Sequence, residues 1–162
     1  MKLVNLIEES FTEYKKPHML LGFPYCSFKC DVEHGSAICQ NSALARAEKI
    51  EIPVEDVVAR YLSNDITKAI VCAGLEPFDS FDDVLELVDK MRVQNGCKDD
   101  IVIYTGYYPF EIPDKIKILS KYENIIVKFG RFIPEQRPHL DKVLGIQLAS
   151  ENQFAEIISE AN

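Results

Sequence analysis

Residues 67–104, TKAIVCAGLEPFDSFDDVLELVDKMRVQNGCKDDIVIY, decide the fold. Residues 67–73 are short and mostly apolar and end at Gly74, which reads as a buried strand. GLEPFDS (74–80) is a loop, with Ser80 placed to cap a helix. Across FDDVLELVDKMRVQ (81–94), Phe81, Val84, Leu85, Val88 and Met91 recur at helical spacing. Asn95 and Gly96 stop the helix, and DIVIY (100–104) is the next strand. Strand, loop, helix and strand in succession is the signature of parallel α/β construction.

The same order extends in both directions. HMLLGF (18–23) reads as a strand ended by Pro24, and NIIVKF (124–129) as a fourth strand. Pro53 suits the first turn of a helix carrying Val54, Val57, Val58, Tyr61 and Leu62 at helical spacing, with Glu55 and Asp56 favourable near its positive end. Residues 112–120 form a short helix. LVNLIEESF (3–11) reads as either a short helix or an edge segment. From Val143 a short strand is expected, then a helix from Asn152 to Ile158.

A closed eight-fold barrel takes ~250 residues, so this chain has material for only about four to six strands. The expectation is one domain over residues 1–162, an α/β fold with a mostly parallel sheet in an open, partial (β/α) barrel. Ligands of such sheets sit beyond the carboxyl ends of the strands. The loops after Phe23, Ala73 and Tyr104 should therefore share one edge.

Charge excludes some partners. A formal net charge of −8 argues against nucleic acid, whose binders carry a basic face. No apolar run approaches the ~20 residues that span a bilayer. Glu8, Glu9 and Glu13 interrupt any signal-peptide pattern, so the expected location is the cytoplasm, away from membranes.

Five cysteines, an odd number, argue against a disulfide framework. Cys26, Cys30 and Cys39 fall in the loop GFPYCSFKCDVEHGSAICQN, within residues 24–42. Thiolates are soft ligands suited to an iron–sulfur cluster or to zinc. Three of them leave one coordination position open. His34 would complete a four-ligand zinc set with Cys26, Cys30 and Cys39, and spacing alone does not separate the two metals. Cys72 lies in an apolar strand and reads as core, and Cys97 reads as an exposed thiol in a turn.

Taken together, the motifs resemble those of radical S-adenosylmethionine activating proteins, in particular the activase of anaerobic ribonucleotide reductase. Cys26, Cys30 and Cys39 match the three clustered cysteines after the first strand. The second gap is eight residues where the family commonly has two, and Ile38 stands where it has an aromatic residue. Gly74, Glu76 and Pro77 match a Gly-Gly-Glu-Pro turn, with Leu75 at the second glycine. PVEDVVARYL resembles the helix preceding that turn, and IVIYTGYY the third-strand segment. KFGRF matches an Asp-Gly-Arg-Phe stretch through Gly130, Arg131 and Phe132, with Phe129 at the acidic position. LASENQF matches the C-terminal signature through Ser150, Asn152 and Gln153. The ordered resemblance covers about residues 17–155.

The resemblance implies a partial barrel of the radical S-adenosylmethionine type. It implies a 4Fe-4S cluster on Cys26, Cys30 and Cys39, with S-adenosylmethionine as second cofactor. Gly74, Leu75 and Glu76 would line the methionine site, and Tyr104, Thr105 and Gly106 would flank the nucleoside. Lys128 would face the ligand carboxylate or else be a solvated lysine, while solvent is the default for Arg131 and Arg137. The implied activity is generation of a 5′-deoxyadenosyl radical that activates a glycyl radical enzyme, with a flavodoxin- or ferredoxin-type electron donor. A zinc-binding interaction module and a radical enzyme acting on a small molecule or peptide are the alternatives.

Overall fold

The computed structural model describes residues 1–159. Among these residues, ten strands and four α-helices follow one another. The strands are β1 (Lys2–Leu3), β2 (Asn5–Ser10), β3 (His18–Phe23), β4 (Ile50–Glu51), β5 (Ala69–Gly74), β6 (Asp100–Tyr104), β7 (Ile125–Phe129), β8 (His139–Asp141), β9 (Ile146–Leu148) and β10 (Phe154–Ile157). The helices are α1 (Lys29–His34), α2 (Val54–Leu62), α3 (Phe81–Asp89) and α4 (Pro113–Leu119).

Six strands make one sheet in the order β10-β7-β6-β5-β3-β2. The four central strands are parallel, with Met19 opposite Ile70, Ile70 opposite Ile101, and Ile101 opposite Ile125. Both outer strands run antiparallel to their neighbours. The fold is therefore α/β on a mixed sheet. Two short ribbons, β1 with β4 and β8 with β9, stand beside it.

Strand alternation separates two cores. Ile70 and Cys72, Ile101 and Ile103, and Ile125, Val127 and Phe129 point to one face. There they meet Val54, Val57, Val58 and Tyr61 of α2, Val84, Leu87 and Val88 of α3, and Leu119 of α4. Each such side chain contributes roughly 1.5–3 kcal/mol by leaving water. Ala69, Val71, Val102 and Ile126 point the other way, against Tyr14 and against Leu144 and Leu148 of the β8–β9 ribbon. The same alternation sends Ala73, Tyr104 and Lys128, one step further along three strands, to the ribbon side at the carboxyl edge.

Some expectations need correction. Residues 152–158 do not form a helix: β10 pairs antiparallel with β7, Phe154 opposite Phe129. Seven residues of helix would bury little, whereas the open margin of β7 supplies a full ladder, and Ala155 N–H also donates to Asp141 Oδ2. LVNLIEESF is an edge strand with a register shift between Ile7 and Ser10. Pro53 sits just before α2, not inside its first turn. Ser80 precedes α3, but its hydroxyl makes no cap bond and is buried without a partner. Cys97 is partly buried against the main core rather than exposed, whereas Cys72 is fully buried as expected.

Candidate functional site

Gly74 fixes one wall of the site. Its φ is +95°, a region that L side chains rarely adopt. A Cβ there would lie 2.6 Å from Phe23 N and 2.9 Å from Gly22 Cα. Glycine thus lets the end of β5 lie against the end of β3 and turn at once. Leu75 N–H then donates to Phe23 O, and Glu76 N–H to Tyr25 O. The GLEP turn is laced to the strand that leads into the cysteine loop.

That loop is less slack than its length suggests. Phe28, at φ +52°, starts α1, and Gly35, at φ +76°, ends it. The Asp31 carboxylate then accepts from both Ile38 N–H (2.8 Å) and Cys39 N–H (2.9 Å). This clasp folds the eight residues between Cys30 and Cys39 back on themselves. Asn41 Nδ2 donates to Gly74 O and ties the far end of the loop to the turn.

Cys26, Cys30, Cys39, Gly74, Leu75, Glu76, Tyr104, Thr105, Gly106 and Lys128 all line one cleft of ≈ 280 Å³. Its remaining wall includes Gly130, Phe132 and residues 146–149 of the ribbon. Gly106 brings three of these elements together: a Cβ there would stand 3.6 Å from Glu76 Oε2, 3.7 Å from Arg131 Cγ and 3.8 Å from Cys30 Sγ.

The polar groups are mostly engaged by the fold. Glu76 is 4% exposed, and accepts from Phe78 N–H (3.1 Å), Gly106 N–H (2.8 Å) and the Thr105 hydroxyl. Burial pushes its carboxyl up to about 7 despite those donors. Lys128 is buried beside the Tyr104 ring and donates to Gly130 O (2.9 Å). Burial draws its ammonium down to about 8, with Glu76 and Cys30 acting against the fall. Tyr104 donates its hydroxyl to Glu13 O.

The thiols are half-buried, and burial pushes Cys26 up to about 12 and raises Cys30. Backbone amides soften that cost: Phe28 N–H donates to Cys26 Sγ (3.2 Å), and Phe132 N–H reaches the Cys30 sulfur. Amide donors at sulfur are the environment that a thiolate ligand needs.

His34 does not join the three thiols. It is exposed at the end of α1 and lines a neighbouring depression with Glu33, Tyr108 and Ile133, which Cys30 alone of the three thiols also borders. Among the described residues, no group of three or more His, Cys, Asp or Glu side chains is already drawn together to hold a metal ion.

Arg131 differs most from expectation. It is 3% exposed, not solvated. Its guanidinium pairs in a fork with Glu111 (2.8 and 2.5 Å), donates to Gly106 O (3.2 Å) and reaches Glu33 (3.2 Å). Glu111 also receives Lys29 (3.1 Å). Arg137 is exposed. Asp31, Glu111 and Asn152 were not singled out as site residues by sequence. Asn152 Nδ2 donates to Arg131 O and to the Tyr108 hydroxyl oxygen, and only the LASENQF pattern hinted at it.

The model of the family described as 4Fe-4S single cluster domain matches residues 18–153. The chain belongs to that family. This 4Fe-4S protein matched no curated protein and no solved structure in the corresponding searches. Cys26, Cys30 and Cys39 line one cleft, and thiolates are the donor type that 4Fe-4S clusters take. Among the described residues, no helix is long and apolar enough to cross a membrane.

Proposed function

We propose that the cluster is held by Cys26, Cys30 and Cys39, and that S-adenosylmethionine occupies the adjoining cleft. On this reading the protein is an activase-like radical enzyme on a partial-barrel scaffold, acting on a glycyl radical enzyme such as anaerobic ribonucleotide reductase. One observation supports it above the others: ten residues from the ends of separate strands and loops line a single cleft beside the thiols.

When bound, the cluster supplies one electron to split the sulfonium of S-adenosylmethionine. The chain's own residues bind and orient. Glu76 spends its oxygens on Phe78, Thr105 and Gly106, so it shapes the turn and leaves backbone groups of Gly74 and Leu75 to meet the ligand ammonium. Lys128 offers its ammonium from the cleft wall to a carboxylate. Tyr104, Thr105 and Gly106 form the rim for the nucleoside. A flavodoxin- or ferredoxin-type protein is the natural class of electron donor.

The test is anaerobic reconstitution, with about four irons per chain expected and Cys39→Ala unable to keep them. The reduced protein should cleave S-adenosylmethionine and produce a glycyl radical doublet in its host's anaerobic ribonucleotide reductase. Cleavage without that doublet removes the activase role and leaves a small molecule or peptide as substrate. A loaded, reducible cluster that never cleaves S-adenosylmethionine removes the radical reading altogether.

A further inference from the structure

Arg131 carries a contradiction that its ion pairs do not resolve. Its side chain is 4% exposed, and two carboxylates and a carbonyl occupy its terminal nitrogens. Its Nε–H, however, is buried with no acceptor. A buried donor without a partner forfeits its hydrogen bond to water and gains none in return. The neighbourhood names the missing acceptor. Arg131 and Cys30 share the walls of two crevices, one also lined by Cys26 and Glu76, the other by Glu33 and Tyr108. The arginine stem and the Cys30 sulfur both lie within 3.8 Å of one point, the Cβ position of Gly106.

We propose that Arg131 is a positioning residue for the cluster, clamping the Cys30 helix and setting a positive charge and a free Nε–H beside the cluster's sulfur. The proposal rests on the reading that Cys30 is a ligand. The clamp is physical: Arg131 reaches Glu33 on α1, and Glu111, forked to Arg131, holds Lys29 on the same helix. Both salt bridges flank Cys30 in sequence, one residue before and three after. The guanidinium also stacks on the Tyr108 ring at 5.0 Å, which Asn152 holds in turn. A charge fixed from so many sides cannot swing away when the cluster changes its own charge. A reduced cluster is one unit more negative than an oxidised one, so a fixed neighbouring cation favours reduction.

A purely structural salt bridge and an electrostatic one predict different results when broken from either end. Arg131→Gln removes a cation and should lower the cluster's midpoint potential. Glu111→Gln removes the compensating anion while both cations, Arg131 and Lys29, remain in the chain, and should raise it. Arg131→Lys keeps the charge without the fork and Nε–H, and should return the potential most of the way to the unmodified value.

The readouts are iron per chain, circular dichroism, and an anaerobic potentiometric titration followed by electron paramagnetic resonance. Opposite shifts in the two glutamine variants, with iron retained, are the expected result. Shifts of the same sign, or none, in iron-loaded variants overturn the proposal. If Arg131→Gln fails to hold iron, Glu111→Gln decides alone: an upward shift supports the electrostatic role and an unchanged potential refutes it. Cys30→Ala is the control for the underlying reading. If it keeps a full cluster, the ligand assignment has failed, which the Arg131 titrations by themselves would not show.

Discussion

Replacing Gly74 with alanine should damage both the fold and the cleft, by an amount the structure sets. The residue adopts φ +95°, and the added methyl would meet backbone on three counts: Phe23 N at 2.6 Å, Gly22 Cα at 2.9 Å and Gly22 C at 3.0 Å. None of these atoms belongs to a flexible side chain. The positive φ alone costs an alanine roughly 1–2 kcal/mol. Forcing β3 and β5 apart at their carboxyl ends adds about 1–3 kcal/mol, as overpacking does elsewhere. Together these give about 2–5 kcal/mol, and at about 2–4 °C per kcal/mol for a chain of this size the melting point falls by about 4–20 °C. The assay is thermal unfolding of the apo-protein under anaerobic conditions, followed by circular dichroism. Gly35→Ala is the comparison: φ there is +76°, but no atom lies within 4 Å of the new methyl. It should show the conformational cost without the collision. A Gly74→Ala protein that melts no lower than Gly35→Ala would refute the close-approach argument.

Two further outcomes follow from the same contacts. Asp31→Ala strips the acceptor from the Ile38 and Cys39 amides, so the chain should still fold but lose iron during desalting far faster than the unmodified protein; equal iron retention would show the clasp to be dispensable. Glu111 is held down to about 2, chiefly by its bonds from Arg131, against about 4.3 in an unfolded chain; its contribution is therefore complete above roughly pH 5 and drains as the pH falls toward 2, and Glu111→Gln should flatten that acid limb in denaturant titrations of the apo-protein.

Much of the architecture was legible because periodicity is local. His18–Phe23 and Asp100–Tyr104 emerge as strands with the bounds read from sequence, since short apolar runs between Pro, Gly and Asn admit little else. The helical face through Val84, Val88 and Met91 was equally plain, although Leu87 completes it. The C-terminal segment misled because its few apolar residues fit either period, and the deciding factor, the vacant margin of β7, is remote in sequence. Arg131 misled for the same reason. Its main partner, Glu111, is 20 residues away, and nothing near Arg131 in sequence announces a buried pair. Asp31 looked like one of several acids in a loop. Its task becomes visible only when Ile38 and Cys39 are seen to turn back toward it.

The Asp31 clasp changes what chain length means between the second and third cysteines. Because the amides of Ile38 and Cys39 are anchored at the base, the positions of the thiols do not depend on what lies at the apex, His34 to Ala37. Those four residues are exposed, and a Cβ on Gly35 would meet no atom within 4 Å. The apex is thus a natural graft point. Peptide inserted there would lengthen the spacing further without moving a sulfur, so the distance in sequence between two ligands need not track their distance in space.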